Sequence, residues 1–146
     1  MRELPRQLTV EQLAELFEGR TRLVELLAPL EDPLSHAREV ALKLSKREQQ
    51  EVLAAHPAIG GQTTSVRSAR EQGTDDDPAV LAELAELNAQ YERRFGFRFV
   101  VFVNGRPRRE IVPVLQARLH RTREEELATG VDELVQIASD RWSTGR

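Results

Sequence analysis

Phe95-Gly96-Phe97-Arg98-Phe99-Val100-Val101-Phe102-Val103, closed by Asn104-Gly105, is the stretch that decides the fold. Aromatic and β-branched side chains of this density read locally as a β-strand ending in a turn. A strand needs a partner, however, and no second run of this kind occurs in the chain. A lone strand cannot satisfy its backbone. The segment is therefore expected to be an extended, buried piece of chain, or a helix end, packed within a helical bundle.

Outward from it, helical spacing dominates. Downstream, Val112, Leu115 and Leu119 continue on a helix, where Pro113 is tolerated near the first turn or at a kink. Thr122 and Glu125 then form a capping-box pattern ahead of Leu127, Val131, Leu134, Ile137 and Ala138, a long last helix running to about Trp142. Upstream, Asp77-Pro78 starts a helix carrying Leu81, Leu84, Ala85, Asn88 and Tyr91. Before it come Gly73, the acidic run Asp75-Asp76-Asp77, a short helix over Ser68 to Gln72, and an irregular stretch at 57–67 containing Gly60-Gly61.

Four helices are expected in the first part of the chain. Thr9 caps one with Leu13, Leu16 and Phe17, and Gly19 breaks it. Leu23, Leu26, Leu27 and Leu30 mark a second, ending near Pro33. Asp32-Pro33 reads as N-cap and first residue of a third, with Ala37, Val40, Ala41 and Leu44. Ser45 and Glu48 box the start of a fourth through Val52 and Leu53, which stops at His56-Pro57 because proline disfavours helical geometry in the residue before it. The expected fold is all-α, a single-domain compact bundle of about seven to nine helices over residues 1–146.

Composition agrees. With 40% hydrophobic but only 5% aromatic residues, the apolar content of the 146 residues is mostly Leu, Val and Ala. The absence of cysteine removes disulfides and thiolate chemistry and suits a reducing compartment. Met1-Arg2-Glu3-Leu4-Pro5 lacks the apolar core of a signal peptide, and no apolar run reaches membrane-spanning length, so a cytoplasmic protein without a membrane partner is expected. A net charge of −3 argues against bulk attraction to nucleic acid.

Few side chains are equipped for chemistry. His36, His56 and His120 have neither the spacing of a helical zinc pair nor a flanking cysteine, so no metal site is expected. No nucleotide-binding glycine motif or nucleophile elbow occurs. His56 stands apart at a helix-to-loop break, where its imidazole would reach a cleft and exchange protons near neutral pH. A histidine that merely ends its helix against the C-terminal dipole fits the same position. Glu71-Gln72 would place a carboxylate beside an amide, suited to a group bearing N–H and C=O, although Ser68-x-x-Glu71 is also a simple cap. Arg93, Arg94, Arg98, Arg106, Arg108 and Arg109 surround the aromatic run and suit anions, or lie as snorkelled surface groups. Arg141, near Ile137 and Ala138, is open to a buried or a solvent-facing role.

Taken together, His56-Pro57-Ala58-Ile59-Gly60, Ser68-Ala69-Arg70-Glu71-Gln72, Leu87-Asn88-Ala89-Gln90-Tyr91 and Phe95-Gly96-Phe97-Arg98-Phe99-Val100 occur in an order that resembles one family. It is that of the 2-oxo-4-hydroxy-4-carboxy-5-ureidoimidazoline (OHCU) decarboxylases of the urate-to-allantoin pathway. The similarity extends from about Leu13, through Glu18-Gly19-Arg20, to Arg141. It implies a carboxy-lyase with an all-α fold, no cofactor, OHCU as small-molecule substrate and frequent homodimers. By position it implies catalytic roles for His56, Glu71 and Arg141. Substrate contacts are implied for Pro57, Ser68, Glu71, Gln72, Phe99, Val100, Val101, Phe102, Val103 and Arg141. The interval from His56 to Glu71 is shorter than in many members. Two other readings are a helical binding module without catalysis, engaging nucleic acid through its arginines, and a decarboxylase of a related ureide.

Overall fold

The computed structural model describes residues 7–56 and 77–144. Among them the chain forms seven α-helices and no strand: α1 (Val10–Leu16), α2 (Arg22–Leu27), α3 (Pro33–Lys43), α4 (Lys46–Ala54), α5 (Pro78–Phe95), α6 (Arg108–Arg118) and α7 (Arg123–Thr144). The expected short helix at Ser68 to Gln72, the irregular stretch at 57–67 and the acidic linker before Asp77 lie outside the described residues.

Local sequence explains most helix starts. Thr9 and Gln12 close a capping box at α1, and Ser45 and Glu48 close another at α4. At α7 the Thr122 hydroxyl accepts from the Glu125 amide at 3.1 Å while the Glu125 carboxylate accepts from the Thr122 amide at 3.0 Å. Asp77 caps α5 by accepting from the amide of Ala79. One detail departs from expectation and two refine it. α2 stops at Leu27 rather than near Pro33, because Pro29 has no amide hydrogen with which to continue the ladder. Asp32 occupies the N-cap of α3 in a left-handed conformation (φ 48°), and its side chain does not cap; the Ser35 hydroxyl instead donates to the Asp32 carbonyl. Pro113 sits inside α6, beyond its first turn.

α7 is the central element, packing on α1, α3 and α4, while α5 and α6 pack on each other. α7 approaches α4 closely at Gly130, where a Cβ would stand 3.1 Å from a Leu53 methyl. Leu13, Phe17, Leu23, Leu27, Leu53, Leu84, Ile111, Leu115 and Leu134 form the interior.

The aromatic run leaves α5 at Gly96, a helix-terminating residue at φ 79°, and turns into α6 through Asn104 and Gly105 at φ 51° and 76°. Between them Phe97, Phe99, Val100, Val101 and Val103 are all buried, without the one-sided alternation of a surface strand. The partner strand is replaced by arginines. Arg118 donates to the Val100 carbonyl at 2.8 Å, and Arg106 donates to the carbonyls of Phe102 and Val103 at 2.7 and 2.9 Å. The Phe102 amide donates to Glu133 at 3.3 Å. Long side chains thus satisfy a backbone that no second strand serves.

Candidate active site

His56 follows the last turn of α4, its amide donating to the Leu53 carbonyl. Unlike exposed His36 and His120, it is only 5% exposed. Arg98, from the aromatic run, donates to the carbonyls of Ala54 and His56 and so ties the end of α4 to that run. Nε2 of His56 is buried and has no hydrogen-bond partner among the described residues. A buried polar atom left in this state is costly and calls for an explanation.

Charge around the imidazole is unbalanced. Burial, then the Arg141 guanidinium, push the His56 pKa down to about 4, with Arg98 acting in the same direction and Glu18 opposing. At neutral pH the ring is therefore neutral and able to accept a proton.

Arg141 reaches this place from the inner face of α7 and is 1% exposed. It donates to the Leu16 carbonyl at 2.8 Å, at the end of α1, and to the Glu18 carboxylate at 2.9 Å. The fork of a guanidinium suits this double task. Glu18 itself stands in the left-handed region at φ 62°. Its part in the arrangement was not foreseen from sequence as anything beyond family similarity; an acidic residue just before Gly19, after an apolar helix, was the available signal.

Of the expected site residues, the structure brings His56 and Arg141 together. Pro57, Ser68, Glu71 and Gln72 lie outside the described residues. Phe99 to Val103 follow Arg98 in the chain, and the carbonyls of Val100, Phe102 and Val103 and the amide of Phe102 already have partners within the chain. The arginine cluster divides as well: Arg98 and Arg106 serve backbone carbonyls, and exposed Arg93 pairs with Glu86 at 3.7 Å. Glu133, another residue sequence reading passed over, has its pKa raised by burial, against the lowering effect of the Phe102 amide. Among the described residues no group of three or more His, Asp or Glu side chains is arranged to hold a metal ion, and no helix is long and apolar enough to cross a membrane.

Comparison with known proteins meets this geometry from outside. A solved OHCU decarboxylase, crystallised in the presence of (S)-allantoin, superposes with a TM-score of 0.77 over 91% of this chain and 96% of that one, at 22% identity, and so shares the fold. The human protein named putative 2-oxo-4-hydroxy-4-carboxy-5-ureidoimidazoline decarboxylase is 34% identical over 77% of this chain and 70% of its own length. A uric acid degradation bifunctional protein of Bacillus subtilis is 28% identical over 97% of this chain, which spans 31% of that longer protein. The sequence model described as OHCU decarboxylase matches residues 2–143. With nearly its whole length matched and its helices superposed, the chain belongs to the OHCU decarboxylase family.

Proposed function

We propose that this chain performs the reaction its family is named for, the decarboxylation of OHCU to (S)-allantoin in urate degradation, with His56 moving the proton. The observation that carries the assignment of His56 is its buried, unpartnered Nε2 beside a buried guanidinium.

The substrate makes the chemistry accessible to such a site. Its carboxylate leaves a ring carbon that bears a hydroxyl and adjoins a C=N bond, so the electron pair released with carbon dioxide flows into that bond. An external electron sink is unnecessary, which is why we read the reaction as cofactor-free and metal-free. The protein's contributions are orientation, exclusion of water and one controlled proton delivery. As carbon dioxide leaves, the ring nitrogen of the C=N bond receives the electron pair and takes a proton from solvent; a neutral His56 then accepts the hydroxyl proton as that carbon becomes a carbonyl, and the imidazolium that results, pressed by Arg141 and Arg98, delivers it to the neighbouring ring carbon. That protonation sets the handedness of allantoin. A substrate carboxylate entering beside the two guanidiniums offsets their charge and brings His56 closer to the neutral range in which acid–base catalysis is most efficient.

In this reading Glu71 and Gln72 bind the N–H and C=O groups of the ureido or ring portion, with Pro57 and Ser68 alongside. Those backbone groups of Phe99 to Val103 that are not bonded to Arg118, Arg106 or Glu133 line the site, and Arg141 attracts the anionic end while catalysis proceeds at His56. Residues 1–146 act as one domain in the cytoplasm, as a homodimer. The test is an assay on freshly generated OHCU, following loss of its absorbance and the optical activity of the product, with and without exhaustive chelation. Accelerated formation of (S)-allantoin that survives chelation is expected. No acceleration would refute the activity, and loss to chelator with rescue by one divalent ion would refute its metal-free form.

A further inference from the structure

We infer that Glu18 is a positioning residue of this site: from the end of α1 its carboxylate holds the Arg141 guanidinium in place beside His56 and offsets its charge. The inference rests on the proposed reaction for its kinetic meaning, but its structural basis is independent of it.

Three observations converge. The first is conformational. Glu18 adopts φ 62°, a left-handed backbone that glycine occupies freely and other residues rarely do, and Gly19 stands next in the chain. Asp32 and Asn104 share this region in turns away from the site, and Glu18 differs from them in carrying a shielded ion pair to Arg141. The second is geometric. Arg141 Nη2 donates to Glu18 Oε1 at 2.9 Å while Nη1 donates to the Leu16 carbonyl at 2.8 Å and, at 3.4 Å, to that of Glu15, so Glu18 supplies the side-chain clamp beside two backbone ones. The Glu18 side chain is 15% exposed and that of Arg141 1% exposed, so the pair is largely shielded from water and screened less than a surface pair.

The third is the charge count around His56. Arg141 faces it from α7, Arg98 from the aromatic run and Glu18 from the end of α1. Among the described residues, two cations are thus set against one carboxylate. Arg98 has a half-exposed carboxylate of its own, Glu92 at 3.6 Å; without Glu18 the Arg141 guanidinium would lose one clamp and the buried carboxylate that offsets its charge beside the imidazole. A residue that served only to end α1 would not need its charge.

Glu18→Gln in the full chain isolates that charge, because glutamine keeps the length and an oxygen able to accept from Arg141. Histidine ring NMR reports His56 directly, with exposed His36 and His120 as internal references. We expect the His56 titration to move down by at least about half a pH unit, and kcat on OHCU to fall at least about tenfold without a rise in KM. Glu18→Asp, which keeps the charge on a shorter arm, should recover most of the turnover. A Glu18→Gln protein with wild-type titration and kcat overturns the inference, as does a fall in kcat with the titration unmoved, or a titration shift without kinetic effect. If glutamine does not fold, an Asp variant with wild-type turnover supports the role of the charge, and one with turnover lost while the His56 titration stays in place refutes it. Should the wild-type chain fail to turn over OHCU at all, the proposed function fails, while the NMR comparison still decides whether Glu18 governs His56.

Discussion

Among the described residues, an Arg–Glu cluster in the core and an Arg–Glu pair beside His56 are built to different ends. At the junction of α5, α6 and α7, the fully buried Glu126 carboxylate accepts from Arg118 at 2.7 Å, from Arg121 at 2.9 Å and from the Tyr91 hydroxyl at 2.6 Å. Arg118 also holds the Val100 carbonyl and lies 4.5 Å from the centre of the Phe99 ring. Both oxygens of that carboxylate are engaged, and Arg118 bonds through Nε and Nη1, which anchors the aromatic run; only its Nη2, on a group that stays charged at every pH of interest, lacks a partner among the described residues. At the α1–α7 contact, Arg141 and Glu18 form a similar pair, but beside it stands an imidazole with a buried nitrogen that nothing described fills. The first pair completes a core; the second leaves a place for something to bind. Burial of charge alone does not mark a functional site, whereas burial beside an unsatisfied, titratable group does.

That contrast can be broken by measurement, taken in order of expected cost to stability. Glu126→Ala strips the core cluster of its carboxylate and leaves Arg118 charged and buried, for a loss of about 3–5 kcal/mol in chemical denaturation. A loss below about 1 kcal/mol would mean that the cluster is not the anchor described. The His56 site should reveal itself through pH instead. Because its folded pKa is depressed from 6.5 to about 4, the folded state takes up its proton later than the unfolded chain as pH falls. Its contribution is present above pH 6.5 and is lost as pH falls through 4, a change of about 3 kcal/mol. Stability curves between pH 7 and 4 should therefore be shallower for His56→Asn than for the wild type by that amount; parallel curves would place His56 in solvent. Smallest is Tyr91→Phe, which removes one of the hydrogen bonds to Glu126 and should cost about 1 kcal/mol, with Arg118 still in place. The phenol's pKa, raised far above its ordinary value by burial and by Glu126, keeps it protonated at every pH used.

Much of the fold was legible in the sequence, because helix starts are written locally. Thr9, Ser45, Asp77 and Thr122 each announce a start through a side chain that bonds an amide two or three residues on. The aromatic run was also read correctly, since a strand without a partner has nowhere to place its hydrogen bonds. What took those bonds was not legible. Arg106 and Arg118 serve carbonyls three or more residues away or on another element, and nothing in their spacing separates such arginines from surface ones. Asp32 shows the converse failure, a residue type suited to capping whose left-handed backbone aims its carboxylate elsewhere.

At the site, the helix-ending position of His56 was visible, but its burial was not. That depends on Arg98, distant by 42 positions, and on Arg141 approaching from the far end of the chain. Glu18 was hidden for the same reason: the residue that gives it meaning lies 123 positions away.

Whether His56 moves a proton is tested most directly by His56→Asn. Asparagine approximates the size and hydrogen bonding of imidazole but does not exchange a proton near neutral pH. The variant should keep the far-ultraviolet spectrum of a helical bundle, while decarboxylation of OHCU falls by about 100- to 10,000-fold. The residual product, protonated by bulk water on either face, should drift towards racemic allantoin, whereas the wild type should give mainly the S form, as read by circular dichroism of the product. A folded His56→Asn protein with wild-type rate and unchanged product handedness would contradict the account and leave His56 as no more than the residue that ends α4.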